Sequence, residues 1–145
     1  KATFDEIIAN AKAAHPDIVP DGVEVQKMMD SGEEVIVGMI RDKQFGPMIA
    51  FGMGGIYVNL IEDVSFNLAK GMSSQEIDEQ IASTKVSKLL EGYRGEAPCD
   101  VEEVKEAIKR VARLTLDFPE ISELDINPIF VYEEGSSALD IKIKL

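Results

Sequence analysis

"EVIVGMIRDKQFGPMIAFG", residues 34–52, holds two runs rich in Val, Ile, Met and Phe, parted by "DKQF" and a Gly-Pro pair. β-Branched and aromatic residues bounded by turn formers read as strands, which predicts strands at 34–42 and 46–52. Upstream, "VEVQKMM" (23–29) alternates and meets 34–42 across "DSGE", so an antiparallel hairpin is expected there. Downstream, "DVSFNLA" (63–69) reads as a further strand, giving two hairpins in all. Between the strands, "FGMGG" (51–55) carries three glycines. A backbone stripped of side chains lets an anion, or a passing segment of chain, come within hydrogen-bonding reach.

The flanks are helical. In "ATFDEIIANAKAAH" (2–15), Phe4, Ile7, Ile8 and Ala11 fall on one helical face, and "HPDIVPDG" breaks the run. "SSQEIDEQIAST" (73–84) opens with serine caps and first-turn carboxylates, which suit the positive end of a helix. "DVEEVKEAIKRVARLTLDF" (100–118) is the clearest helix: Asp100 and Glu103 fit a cap, Val101, Val104, Ile108, Val111 and Ala112 keep an apolar stripe, and Pro119 stops it. "ELDINPIFVYEEGSSALDIKIKL" (123–145) reads as two strands joined by "EEGSS". The order predicts an α+β fold over 1–145, an antiparallel sheet with helices packed on it.

Composition narrows the function classes. With 45% hydrophobic and 29% charged residues the chain reads as a soluble domain, and no apolar run approaches the roughly 18 residues of a membrane span. A cytoplasmic setting is the simplest expectation. A net charge of -12 argues against a nucleic acid or an anionic membrane as partner. The single Cys99 can form no internal disulfide and reads as an inert thiol. The chain opens on Lys1 rather than Met, so a piece of a longer protein is expected.

Asp125, Asn127 and Asp140 are oxygen-bearing side chains in otherwise apolar strands. Burying an unpaired carboxylate there costs several kcal/mol, about 2–7 even for a neutral polar group. Two readings meet them: oxygen ligands from adjacent strands of the kind Mg²⁺ takes, or a strand bend at Asn127-Pro128 with Asp140 facing solvent.

Several separated motifs in one order, "VEVQKMMDSGEEVIVGMIRDKQFGPMIAFGMGGI", "LLEGYRGEAPCD", "ELDINPIFVY" and "ALDIKI", resemble the ATP-grasp domain of ADP-forming acetyl-CoA synthetase, beta subunit or beta portion. The resemblance runs from about Phe4 to the C-terminus. It implies the C-terminal lobe of an ATP-grasp fold that binds ATP or ADP and Mg²⁺. Gln26, Lys27, Met28 and Met29 would be the hinge that holds adenine by its backbone, and Glu34 the carboxylate on the ribose. "D-I-N-P" and the later aspartate are similar to the magnesium site of the related succinyl-CoA synthetase beta subunit, which implies Asn127 and Asp140 as metal ligands. Asp125 stands where that relative has a glutamate thought to steady a phosphohistidine. Gly54 and Gly55 would approach the nucleotide phosphates, or the loop carrying the phosphohistidine, with Arg41 as the matching cation or, alternatively, a plain surface arginine.

His15, the only histidine, does not match the family's phosphohistidine loop, which lies upstream in that family together with the nucleotide-gripping lysine of the first lobe. The resemblance therefore implies two partners, an upstream ATP-grasp lobe and a CoA-binding alpha subunit or domain. The whole enzyme would interconvert acyl-CoA, ADP and phosphate with free acid, CoA and ATP, and the segment alone would be inactive. A non-catalytic subunit-docking module and a succinyl-CoA synthetase beta portion are the alternative readings.

Overall fold

The runs at 34–52 pair with each other. β1 (Glu33–Asp42) and β2 (Gly46–Met53) are antiparallel, with Val37 opposite Phe51 and Asp42 opposite Gly46. Asp42 closes the turn: its Oδ1 accepts from the N–H groups of Phe45 at 2.8 Å and Gln44 at 2.7 Å, and these donors hold its carboxyl below the usual range. Gly46 takes a φ of 80°, where a side chain would be strained. β3 (Val64–Leu68) pairs with the free edge of β2, as 63–69 predicts.

The computed structural model describes residues 2–55 and 63–145, and it parts into two units, Lys1–Asp30 and Ser31–Leu145. The first holds α1 (Ala2–Ala14), where the apolar periodicity predicts it. It also corrects one expectation, because residues 23–29 form no strand. A strand needs a ladder to receive its backbone groups, and both edges of its expected partner β1 are taken, one by β2 and the other by β4.

In the second unit α2 (Ser74–Ala82) starts on a reciprocal cap: Ser73 Oγ accepts from the Glu76 N–H, and Glu76 Oε2 accepts from the Ser73 N–H at 2.8 Å. After the short α3 (Ser87–Leu90), α4 (Val101–Asp117) starts on Asp100, whose carboxylate accepts from Glu103 N–H and from Gly135 N–H at 2.9 Å. The chain closes with β4 (Glu123–Val131), β5 (Ser136–Ala138) and β6 (Ile141–Lys144). The second arm of the expected closing hairpin is thus broken at Leu139 and Asp140. The described strands make one antiparallel sheet in the order β3-β2-β1-β4-β5, with β6 also on β4.

Helices pack on one face of that sheet. Val35, Val37, Met39, Ile49, Phe51, Leu124, Ile129 and Val131 meet Ile77 and Ile81 of α2, Leu90 of α3 and Val104, Ile108 and Val111 of α4. Each such side chain contributes about 1.5–3 kcal/mol by leaving water. The other face carries a cross-strand row, Lys142, Asp125, Gly38, Ala50 and Phe66, set by register alone. Among the described residues no helix is long and apolar enough to cross a membrane.

Candidate functional site

The site begins at a bulge. On β1 the two-residue step from Val35 to Val37 faces a three-residue step on β4, from Ile129 to Ile126, so Asn127 and Pro128 stand opposite Ile36 alone. Pro128 has no N–H to give the ladder, and an extra residue of this kind re-aims side chains. Asn127 Oδ1 accepts from the Gly55 N–H at 2.9 Å. Since that N–H only donates, it sets which end of the amide faces it.

Gly55 is itself held in place. Its φ is 73°, and a Cβ there would run into the Glu34 carboxylate. The Gly54 N–H donates to Glu34 O at 2.8 Å, and a Cβ on Gly54 would come within 2.6 Å of the Val35 carbonyl. On Gly52 it would meet Asp63 O. The visitors that exclude side chains from "FGMGG" are therefore this chain's own backbone and Glu34, the second of the two options the glycines left open. Glu34, Gly54, Gly55 and Asn127, four of the expected site residues, line one pocket of about 630 Å³ with Gly32, Glu33, Met53, Leu89 and Pro128.

Asp125 and Asp140 stand beside it. Ile126 faces Ile141 and Ile129 faces Ala138, so the same register sets Asn127 opposite Asp140, and the Asn127 N–H donates to Asp140 O at 3.1 Å. Asp125 lies two residues from Asn127, opposite Gly38 on one side and Lys142 on the other. Its Oδ1 is shut from solvent and has no hydrogen-bond partner among the described residues; the empty side-chain place of Gly38 opens 3.9 Å from it. Burial pushes the Asp125 carboxyl up, the Lys142 ammonium pulls it back, and Asp140 and Glu123 add to the rise. Glu33 is raised too, by burial first and then by Glu96 and Glu34.

Among the described residues no group of three or more His, Cys, Asp or Glu is gathered as a metal cage. Asn127, Asp140 and Asp125 supply only hard oxygens. One or two carboxylates, with phosphates and water for the rest, are what Mg²⁺ takes in nucleotide sites. The orphaned Asp125 oxygen leaves a polar demand unmet in the same place, so the donor set fits such an ion.

Two expectations need correction. Arg41 is turned away from this pocket: its Nε donates to Ile121 O and one terminal nitrogen to Thr115 O, both at 2.8 Å. Seven residues of extended strand, about 23 Å, separate it from Glu34, so it cannot serve as the cation for Gly54 and Gly55. The hinge residues Gln26, Lys27, Met28 and Met29 lie in the first unit, outside any strand. Sequence reasoning also passed over Gly38 and Lys142; only the spacing of "DIK", two residues apart on a strand, hinted at the second.

A family profile for the ATP-grasp domain matches residues 1–145. The chain belongs to the ATP-grasp domain family. Within it, the chain is 43% identical over 145 residues to acetate–CoA ligase (ADP-forming) I subunit beta of Pyrococcus furiosus, covering all of this chain and 62% of that subunit. It is also similar to the solved structure of the dinucleotide-forming acetyl-coenzyme A synthetase 1 of Ca. Korarchaeum cryptofilum with coenzyme A, Ca-AMPCP and HgCl⁺. That likeness has a TM-score of 0.87 and 40% identity, over 98% of this chain and 62% of that one. The same enzyme with coenzyme A and Mg-AMPPCP, its phosphohistidine segment pointing towards the nucleotide site, aligns with a TM-score of 0.78 at 41% identity, over 81% of this chain and 55% of that one. This ATP-grasp chain thus spans only part of the relatives it matches, 62% of the Pyrococcus furiosus subunit and 21% of the acetate–CoA ligase (ADP-forming) I of Archaeoglobus fulgidus, to which it is 45% identical.

Proposed function

We propose that this chain is the C-terminal ATP-grasp lobe of an ADP-forming acyl-CoA ligase of the acetate–CoA type, and that it holds the nucleotide and its divalent cation while phosphoryl passes from a phosphohistidine to ADP. The observation that carries the reading is the placement of Asn127: opposite Asp140, fixed to Gly55, and sharing a pocket with Glu34, in a chain matched along its whole length by the ATP-grasp domain. Solved relatives that contain Mg-AMPPCP or Ca-AMPCP support it.

In this reading Asn127 and Asp140 hold the cation, which when bound neutralises charge on the phosphates. Glu34, which lines the same pocket as Asn127, accepts from the ribose hydroxyls. Asp125, two residues from Asn127 on β4, accepts through its carboxylate from the imidazole N–H of the incoming histidine and steadies the ring. The N–P bond breaks as the terminal oxygen of ADP bonds to phosphorus, so the lobe's task is positioning and charge. The missing elements, an upstream lobe and a CoA-binding subunit or domain, come from the remainder of the enzyme.

In the complete enzyme, Asp140→Asn is expected to keep the fold and to lower magnesium-dependent turnover by at least about tenfold, some 1.4 kcal/mol. Turnover against magnesium concentration for both proteins is the measurement, and superimposable curves remove Asp140 from the site. A non-catalytic docking module would instead show no binding of Mg-ADP at all.

A further inference from the structure

Lys142 places a permanent cation where the carboxylates would receive a metal. It stands on β6 directly opposite Asp125 and two residues from Asp140, so the three side chains share one face of the sheet. Its Nζ lies 3.2 Å from Asp140 Oδ2. With 75% and 53% of these side chains exposed, the pair contributes little to holding the fold. Its effect on an arriving dication is larger. An ammonium a few ångströms from a divalent ion repels it enough, even in water, to lower affinity by about tenfold. The next pair along, Glu123 and Lys144, has the same cross-strand arrangement one step further from Asn127, and so provides an internal comparison.

We propose that Lys142 is the resident counter-ion of this site: it neutralises Asp140 and Asp125 while no metal is bound and competes with the incoming cation. The metal is thereby held weakly by the bare lobe and firmly only when nucleotide phosphates bring further negative charge. The proposal rests on the reading of Asn127 and Asp140 as ligands.

The test is Mn²⁺ binding to the complete enzyme, with free Mn²⁺ followed by electron paramagnetic resonance, in the absence of nucleotide. Lys142→Met is expected to bind Mn²⁺ about tenfold more tightly than wild type, with the gain shrinking as salt is raised. Lys142→Arg, which keeps the charge, and Lys144→Met are expected to stay within about twofold of wild type. Asp140→Asn is expected to bind more weakly. If Lys142→Met binds as wild type while Asp140→Asn loses affinity, the counter-ion role is overturned and the metal site stands. If Asp140→Asn binds as wild type, the ligand assignment fails and the counter-ion role fails with it.

Discussion

Arg41 spends its guanidinium on carbonyls just past and within the last turn of α4, those of Thr115, Phe118 and Ile121. Helix ends leave such oxygens without intrahelical donors, and a charged donor satisfies them better than a neutral one. Arg41→Met is therefore expected to lower stability by about 2 kcal/mol and to leave ADP affinity unchanged, as denaturant melts and ADP titration would read. A variant that melts like wild type yet binds ADP poorly would return Arg41 to the phosphates. Glu33 differs in kind, because its carboxyl is raised by burial and by Glu96 and Glu34. A raised folded pKa contributes stability that is full below the ordinary value near 4.5 and is lost as pH climbs through the folded value. Glu33→Gln removes that loss. The melting temperature of the variant is expected to gain on wild type between about pH 4 and pH 7, and a constant difference across that range would show that Glu33 is not strained by its charge.

At the scale of elements, the meeting of β2 and β3 depends on one missing side chain. Gly52 faces Val64, and a Cβ there would meet Asp63 O. Asp63 cannot step back, since its Oδ1 and Oδ2 accept from the N–H groups of Lys85 at 2.7 Å and Val86 at 2.8 Å. Three segments distant in sequence are thus tied together through one carboxylate. Gly52→Ala is expected to cost about 3 kcal/mol, at the upper end of overpacking, and to raise hydrogen exchange along β3 before β1. Wild-type stability and exchange in that variant would mean that β3 can shift without cost. The bulge at Asn127 belongs to this scale too, because it is the extra residue of β4, opposite β1, that turns the amide to Gly55.

For the larger unit, the sheet buries Val35, Val37 and Met39 of β1 under α2 to α4 and leaves Gly38 and Asp125 on the far face. The proposed site, in a chain that spans 62% of a related beta subunit, would form one jaw of a two-lobed clamp. The segment 1–145 by itself is accordingly expected to turn over no acetyl-CoA, ADP and phosphate. Measurable ATP formation by the purified segment would sink the two-jaw reading.

Sequence alone determined what acts over a few residues. Apolar spacing set α1 and α4, Ser73 with Glu76 and Asp100 with Glu103 N–H set the helix starts, and the runs at 34–42, 46–52 and 63–69 set three strands. Residues Asp125, Asn127 and Asp140 stood out because an oxygen in an apolar strand is costly wherever it lies. Tertiary structure decided which segment each of these met. Residues 23–29 alternate like a strand, but β1 had given both its edges to β2 and to β4, the latter about ninety residues on. Arg41 found carbonyls 74 and 80 positions away instead of a phosphate, and the glycines of 52–55 made room for Asp63, Val35 and Glu34. Pairings of that range depend on the register of a whole sheet, and no local pattern carries it.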